Sequence, residues 1–434
     1  MTPIQLGIVG CILLLVLLMS SMPVAFVMAV AGVIGFAMVV STPAALSMLT
    51  ADFFSTFSAY SLTVIPLFIL MGQVAFHAGI SKRLFHAAYC WLGMLRGGLA
   101  MATVGACAGF GAICGSGPAT AATMASVALP EMKRYRYDME LASGTVAAAG
   151  GLGMLIPPSV VFIVYGILTE QSIGKLFLAG VLPGLMIAVL FCLTISLLCR
   201  RRGHLGPAAE DVSWRMRWKS LGGVIETLIL FVVIIGGMFI GLFTPTEAAA
   251  VGAAGSIVIA LLRRRLTLKA FIKSLKETAR TSCMVMIIVA GAVVFGRFLA
   301  VTRLPYALAT WLTGLPFPPW MIIGLIILFY LFAGCFVDAL GLMLLTVPIF
   351  YPVVEALGYD LIWFGVVIVV VTQMGVISPP VGVNVYVVNG IERDLPLQTI
   401  FKGVIPFLIC LIVAAAILVA FPQISLWLPS LAYQ

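Results

Sequence analysis

Charge is what this sequence lacks most. Its 434 residues include 24 Lys and Arg and 15 Asp and Glu, 9% in all, where a soluble domain carries about 25%. Hydrophobic residues make up 63%, and the mean hydropathy is +1.21. A water-soluble globule, a disordered chain and a fibrous repeat are thereby excluded, which leaves a polytopic membrane protein. Histidine is scarce: His77, His86 and His204 lie too far apart to offer zinc-ligand spacing. The nine Cys are scattered through apolar runs with no CxxC pair, so neither a disulfide framework nor a metal site is expected. There is no GxSxG, HExxH or GxxxxGK[ST], and so no sign of covalent, hydrolytic or phosphate-loop chemistry. Without a phosphate loop or a soluble domain, ATP-driven transport by this chain alone is excluded, and nothing indicates an enzyme. No Lys or Arg precedes the first apolar run, so that run is expected to stay as a membrane span and not to be cleaved as a signal peptide.

What the chain does have is long apolar runs. Cys11 to Leu18 and Val366 to Val371 are continuously apolar; a β-barrel strand would alternate, so the spans are helices. The net charge of +9 comes from short basic clusters beside apolar runs, the pattern that sets membrane orientation and not one that binds nucleic acid. Arg200 to Lys219 and Arg263 to Arg280 are the two longest polar stretches. In the second, Leu268, Phe271, Ile272 and Leu275 recur at helical spacing with Lys on the opposite face, which predicts a helix along the membrane surface. Ile80 to Arg96 shows the same pattern.

The chain also repeats itself. At an offset of 222 residues, Pro23 falls on Pro245, Ser116 on Asp338, Pro130 on Pro352, Gly153 on Gly375, and Pro157-Pro158 on Pro379-Pro380. Corresponding loops differ in charge. Arg263 to Arg280 is basic where Thr42 to Ala59 has no Lys or Arg, and Lys133 to Arg136 is basic where Glu355 to Gly358 is not. By the positive-inside rule the halves face opposite sides of the membrane. The expectation is an all-α inverted repeat, each half with about five crossings, one of them a broken helix, plus one re-entrant hairpin. The predicted spans are about 4–20, 23–40, 62–79, 139–170 and 174–199, then 219–242, 245–262, 281–298, 359–391 and 396–425, with hairpins at about 97–131 and 319–354. Lys175, Arg297 and Arg303 are the basic residues that do not fit this orientation.

Two motifs carry the chemistry. GGLGMLIPPS (150–159) and GVISPPVGVN (375–384) each sit midway along an apolar run. Paired prolines remove two backbone donors and bar the α conformation before them, so the helix must unwind. Unwound backbone in hydrocarbon survives only when buried in protein or lining a wet cavity, where its carbonyls can ligate a small cation and helix N-termini can face an anion; the alternative is a simple proline kink. The second motif is the hairpin tips, Cys114 to Thr120 and Phe336 to Gly341. Asp338 is a lone carboxylate in an apolar segment, a functional residue by default, and also a fitting helix N-cap. Ser116, Thr120 and Thr346 add neutral oxygens, which can equally bond to backbone within their helices. Thr244-Pro245-Thr246-Glu247 reads as a helix start. Matched breaks argue for a secondary transporter. A channel needs no such breaks, and a membrane enzyme or electron carrier would need polar clusters at depth that are missing.

GSGPATAATMASVALPEM, GGLGMLIPPSVVFIVYG, LFTPTEAAAVGA, DALGLMLLTVPIFYPVV and ISPPVGVNVYVVNGI resemble the large membrane subunit (DctM-like) of tripartite ATP-independent periplasmic (TRAP) transporters, from about residue 4 to 425. The resemblance implies an elevator-type, sodium-coupled importer of small organic acids such as C4-dicarboxylates or sialic acid in the bacterial inner membrane, with both termini periplasmic. It implies sodium as coupling ion and no other cofactor. It also implies two partners: a small four-helix membrane subunit and a periplasmic substrate-binding protein. The stand-alone sodium–dicarboxylate carrier of related fold is the alternative. Scaffold and arm would occupy 1–96 and 219–318, the mobile transport domain 97–199 and 319–434, and a cytoplasmic loop 200–218. One sodium site would involve Gly115, Ser116, Gly153, Pro157 and Pro158; the other Asp338, Gly375, Pro379 and Val381. Substrate contacts would come from Ser116, Ser159, Thr346 and Asn384. Where the family often has a second hairpin serine, this chain has Gly117, leaving only a backbone oxygen. No Arg stands at either break to clamp a carboxylate, so neutral donors and helix ends must hold the anion.

Overall fold

The computed structural model describes residues 2–20, 22–208 and 213–432. Part of the expected 200–218 loop and both chain ends, whose side of the membrane was predicted, lie outside the described residues. Among the described residues the chain is helical, with no strand.

The first half comprises α1 (Pro3–Met19), α2 (Val24–Val39), α3 (Thr42–Ser58), a 3-10 turn (Tyr60–Thr63), α4 (Val64–His77), α5 (Ile80–Leu92), α6 (Gly98–Cys114), α7 (Gly117–Arg134), α8 (Met139–Gly150), the single turn α9 (Leu152–Leu155), α10 (Val160–Leu168) and α11 (Ile173–Arg201). The second comprises α12 (Trp214–Leu221), α13 (Ile225–Phe239), α14 (Pro245–Leu262), α15 (Leu268–Thr302), α16 (Leu304–Thr313), α17 (Pro319–Gly334), α18 (Ala339–Ala356), α19 (Leu361–Gly375), α20 (Val383–Ile391), α21 (Leu397–Ala420) and α22 (Gln423–Ala432). The 222-residue offset carries α7 onto the range of α18, and α2 onto that of α14 to within one residue at each end.

Among the described residues six helices are long and apolar enough to cross a bilayer, or eight if each of two bent pairs counts as one span. Helices α1, α2, α6, α17 and α19 are apolar but shorter, at 17 residues or fewer. The bent pairs are α8–α9 with α10, at 41°, and α12 with α13, at 42°.

The surface helix expected at 263–280 is not a separate element. It runs without interruption into the expected span at 281–298, giving the 35-residue α15, which at 1.5 Å per residue is about 50 Å long, well beyond the hydrocarbon thickness. The corresponding stretch of the first half breaks between α3 and α4, where Ala59 is extended and Pro66 occupies the first turn of α4. A proline there has no N–H for the preceding turn; its counterpart, Ile288, does, so α15 continues.

Packing between the halves is reciprocal. α2 lies along α15 while its counterpart α14 lies along α4. Small residues let these backbones close: a Cβ on Gly291 would stand 2.3 Å from the Ala25 carbonyl oxygen. α8 packs on α7 and α21, with Gly144 against Gly403. Helix α14 starts as expected, with a capping box in which the Thr244 hydroxyl accepts from the Glu247 N–H and the Glu247 carboxylate accepts from the Thr244 N–H at 2.8 Å. Arg297, one of the basic residues at odds with the charge pattern, is paired: its Nε donates to the buried Asp52 at 2.7 Å.

Candidate functional site

Each hairpin places its tip against the helix break of its own half. In the first half, α6 ends at Gly115, whose φ of 66° is left-handed and suits glycine. A Cβ there would also stand 2.5 Å from the Pro158 carbonyl oxygen. The Val160 N–H donates to the Gly115 carbonyl at 3.2 Å. Gly153 faces the tip from the other side, where a Cβ would meet Thr120 Oγ1 at 2.5 Å and the Ser116 carbonyl oxygen at 2.9 Å. Gly115, Ser116, Gly153 and Pro158 are therefore together, and Thr120 joins them with its hydroxyl donating to the Ser116 carbonyl at 2.7 Å. Ser116 takes the N-cap position of α7, yet its side chain makes no capping bond. Ser159 is fully buried and caps α10, accepting from the Phe162 N–H at 3.3 Å and donating to the Met154 carbonyl.

The second half repeats the contact with different chemistry. Gly334 at the end of α17 lies on Gly375 at the end of α19, and the Val381 N–H donates to the Cys335 carbonyl at 3.2 Å. Asp338 is half-buried at the N-cap of α18 and accepts from the Gly341 N–H at 3.1 Å. One carboxylate oxygen is thus engaged by the cap, so the capping role is present. The prolines of both breaks are joined by cis peptide bonds.

The breaks differ in exposure. Pro157 and Pro158 are buried, whereas Pro379, Pro380 and Val381 are exposed. Thr346 is not at the tip: it lies two turns into α18, with its hydroxyl donating to the Leu342 carbonyl at 2.7 Å and hydrogen-bonded to Tyr330 Oη at 2.5 Å, which ties the two arms of the hairpin. Asn384 is fully buried and reaches the first half, with Nδ2 donating to the Ala147 carbonyl at 3.0 Å. At the outer end of the hairpins, Lys133 of α7 pairs with Glu392 after α20 at 2.9 Å.

Sequence reasoning passed over Gln373. It is fully buried beside Gly151, and neither polar atom of its amide has a hydrogen-bond partner among the described residues. Its signal was available: it is the one amide in the apolar run of α19. Among the described residues no three His, Cys, Asp or Glu gather as a metal site. At the first break the oxygens that gather are carbonyls and hydroxyls, a set suited to a small hard cation at unwound backbone.

Comparison with known proteins gives this arrangement a family. Residues 11–424 match the family model described as "Tripartite ATP-independent periplasmic transporter, DctM component". The chain is 38% identical over 390 residues, covering 90% of it and 91% of the relative, to the C4-dicarboxylate TRAP transporter large permease protein DctM of Pseudomonas aeruginosa. It is 36% identical, covering 86% and 87%, to the sialic acid TRAP transporter large permease protein SiaM of Vibrio cholerae. The crystal structure of the Alcanivorax borkumensis YdaH transporter matches 88% of this chain and 89% of its own with a TM-score of 0.62 at 15% identity, a likeness of fold alone. The chain belongs to the DctM family, the large membrane component of tripartite ATP-independent periplasmic transporters.

Proposed function

We propose that this chain is the substrate-moving subunit of a sodium-coupled importer of small carboxylates in the bacterial inner membrane. The observation that carries the reading is the paired tip-to-break contact: Gly115 and Ser116 on Gly153 and Pro158, and Gly334 and Cys335 on Gly375 and Val381. Two pseudo-symmetric nests of unwound backbone, one with Asp338, suit two sodium ions. Uptake of an anion against its gradient needs a second gradient to drive it, and two sodium ions supply one; they leave one net positive charge with a monocarboxylate and none with a dicarboxylate. Gly115, Ser116, Gly153, Pro157 and Pro158 form one ion site in this reading, and Asp338, Gly375, Pro379 and Val381 the other. The carboxylate lies between them, met by Ser116 and Asn384, by backbone donors and by the N-termini of α7 and α10, the second held in shape by the Ser159 cap.

The reading takes the halves as an inverted repeat of five crossings and a hairpin each, with both termini periplasmic. The hairpins, broken helices, α11 and α21 move together as an elevator against a scaffold of α1–α4 and α13–α15. Tight packing of the tips on the breaks lets that unit move as one body. Thr346 holds the second hairpin's shape and does not touch substrate. The reciprocal pairing of α2 with α15 and α14 with α4 supports the scaffold assignment.

A binding protein delivers substrate and a small membrane subunit braces the scaffold. Liposomes test this directly. Uptake of a C4-dicarboxylate or sialic acid is expected only when this chain, its small subunit and the binding protein are all present. Robust high-affinity uptake by this chain alone would show a stand-alone carrier instead.

A further inference from the structure

Two buried amides at the meeting of the helix breaks have hydrogen-bonding capacity that the protein around them does not meet. Gln373 is 0% exposed, and its Oε1 and Nε2 both lack a partner among the described residues. Its side chain lies over Gly151, where a Cβ would stand 2.5 Å from Gln373 Cγ and 2.6 Å from its Nε2. Position 151 is also the 222-residue counterpart of position 373. A residue where the two halves meet thus touches its own counterpart, and the pair is complementary: one half brings the amide, the other the room for it. Gly151 has φ −59° and ψ −25°, ordinary helical values, so it is space and not backbone conformation that calls for glycine there.

Asn384 is also 0% exposed; its Nδ2 is on the Ala147 carbonyl, but its Oδ1 has no partner among the described residues. Ala147 and Gly151 are four residues apart, so the residues that the two amides touch lie one turn apart on the first half's helix, about 5–6 Å between Cβ positions, a span of the order that one water bridges. Buried polar groups without partners are rare and call for an explanation. The unpartnered atoms here are one amide nitrogen, a donor, and two carbonyl oxygens, acceptors. A cation would serve only the acceptors and a carboxylate only the donor, whereas a water molecule serves both kinds.

We propose that Gln373 and Asn384 hold a buried water between the two breaks, and that through it Gln373 acts as a positioning residue for both ion sites. Gln373 is two residues from Gly375 and packs two residues from Gly153, so the hydrated joint touches both breaks and makes sodium binding at one favour binding at the other. The inference rests on the sodium-coupled reading above.

Gln373→Met keeps the length and removes the polar atoms. Were the amide only filler, its loss would leave the sodium response of uptake unchanged and heat stability equal or higher. The joint instead predicts a folded, inserted variant whose sodium requirement for half-maximal uptake, in liposomes with both partner proteins, rises about tenfold, with a Hill coefficient for sodium falling toward one. The exchange Gly151→Gln with Gln373→Gly returns the amide to the joint from the other half, and should recover the sodium response that Gln373→Gly alone loses. Should neither variant insert, a density map of the wild-type complex in sodium decides the matter: a water between the amides is expected, and protein atoms bonded to the Gln373 amide overturn the proposal. Wild-type uptake indifferent to sodium refutes the coupling reading; sodium-dependent wild-type uptake with an unaltered Gln373→Met variant refutes this one.

Discussion

The backbones of Gly334 and Gly375 are in contact: a Cβ on Gly375 would stand 2.4 Å from the Gly334 carbonyl carbon. Hairpin and break are joined here by main chain on main chain, with no side chain between them to give way. Gly375→Ala would gain about 1 kcal/mol in helix propensity and lose about 1–3 kcal/mol to overpacking, and since backbone cannot step aside the loss wins. The detergent-solubilised variant should melt at lower temperature and take up substrate poorly. Gly324→Ala, in the same hairpin with nothing within 4 Å of its added Cβ, is the control and should be neutral or stabilising. Equal behaviour of the two variants would show that the second site does not depend on the contact.

Asp338→Asn separates capping from ion binding. Asn caps helices as well as Asp does, so folding and insertion should be unchanged. Removing the charge should cost about 1.5–3 kcal/mol of ion binding, on the order of a 10- to 100-fold rise in the sodium needed for half-maximal uptake. An unaltered sodium dependence would leave the cap bond to Gly341 as the whole role of Asp338.

The two breaks should also differ in reactivity. Val381 is exposed and Ser159 fully buried. In a background freed of the nine native cysteines, Val381→Cys should label with a hydrophilic maleimide while Ser159→Cys should not. Sodium and substrate together should slow the labelling at 381 by closing that break. Equal labelling of both positions would mean that the breaks are equally open.

How much of this was legible in the sequence depended on punctuation. Both hairpins and both breaks were readable because Gly115, Asp338, Pro157-Pro158 and Pro379-Pro380 are residues whose backbone chemistry forces a turn, a cap or an unwinding, whatever packs around them. The continuity of α15 was not, because an amphipathic run rich in Lys reads as a surface helix and nothing in the sequence marks its smooth join to the apolar run that follows. That becomes clear only beside the first half, where Pro66 makes the break and Ile288 does not. Thr346 looked like a site oxygen by its place in the hairpin, but its hydroxyl is taken by Tyr330 and the Leu342 carbonyl. Gln373 has meaning only once Gly151 is seen beneath it, a contact between residues far apart in the chain.

Sodium coupling is most directly tested by uptake into liposomes holding this chain and its small subunit, with the binding protein and a labelled carboxylate outside. An inward sodium gradient should drive accumulation above equilibrium. The rate should depend on sodium with a Hill coefficient above one, and with a monocarboxylate such as sialic acid an inside-negative potential should raise it, because two sodium ions and one anion bring in net positive charge. Accumulation of the same size and rate with sodium replaced by potassium on both sides would contradict sodium coupling at the two breaks.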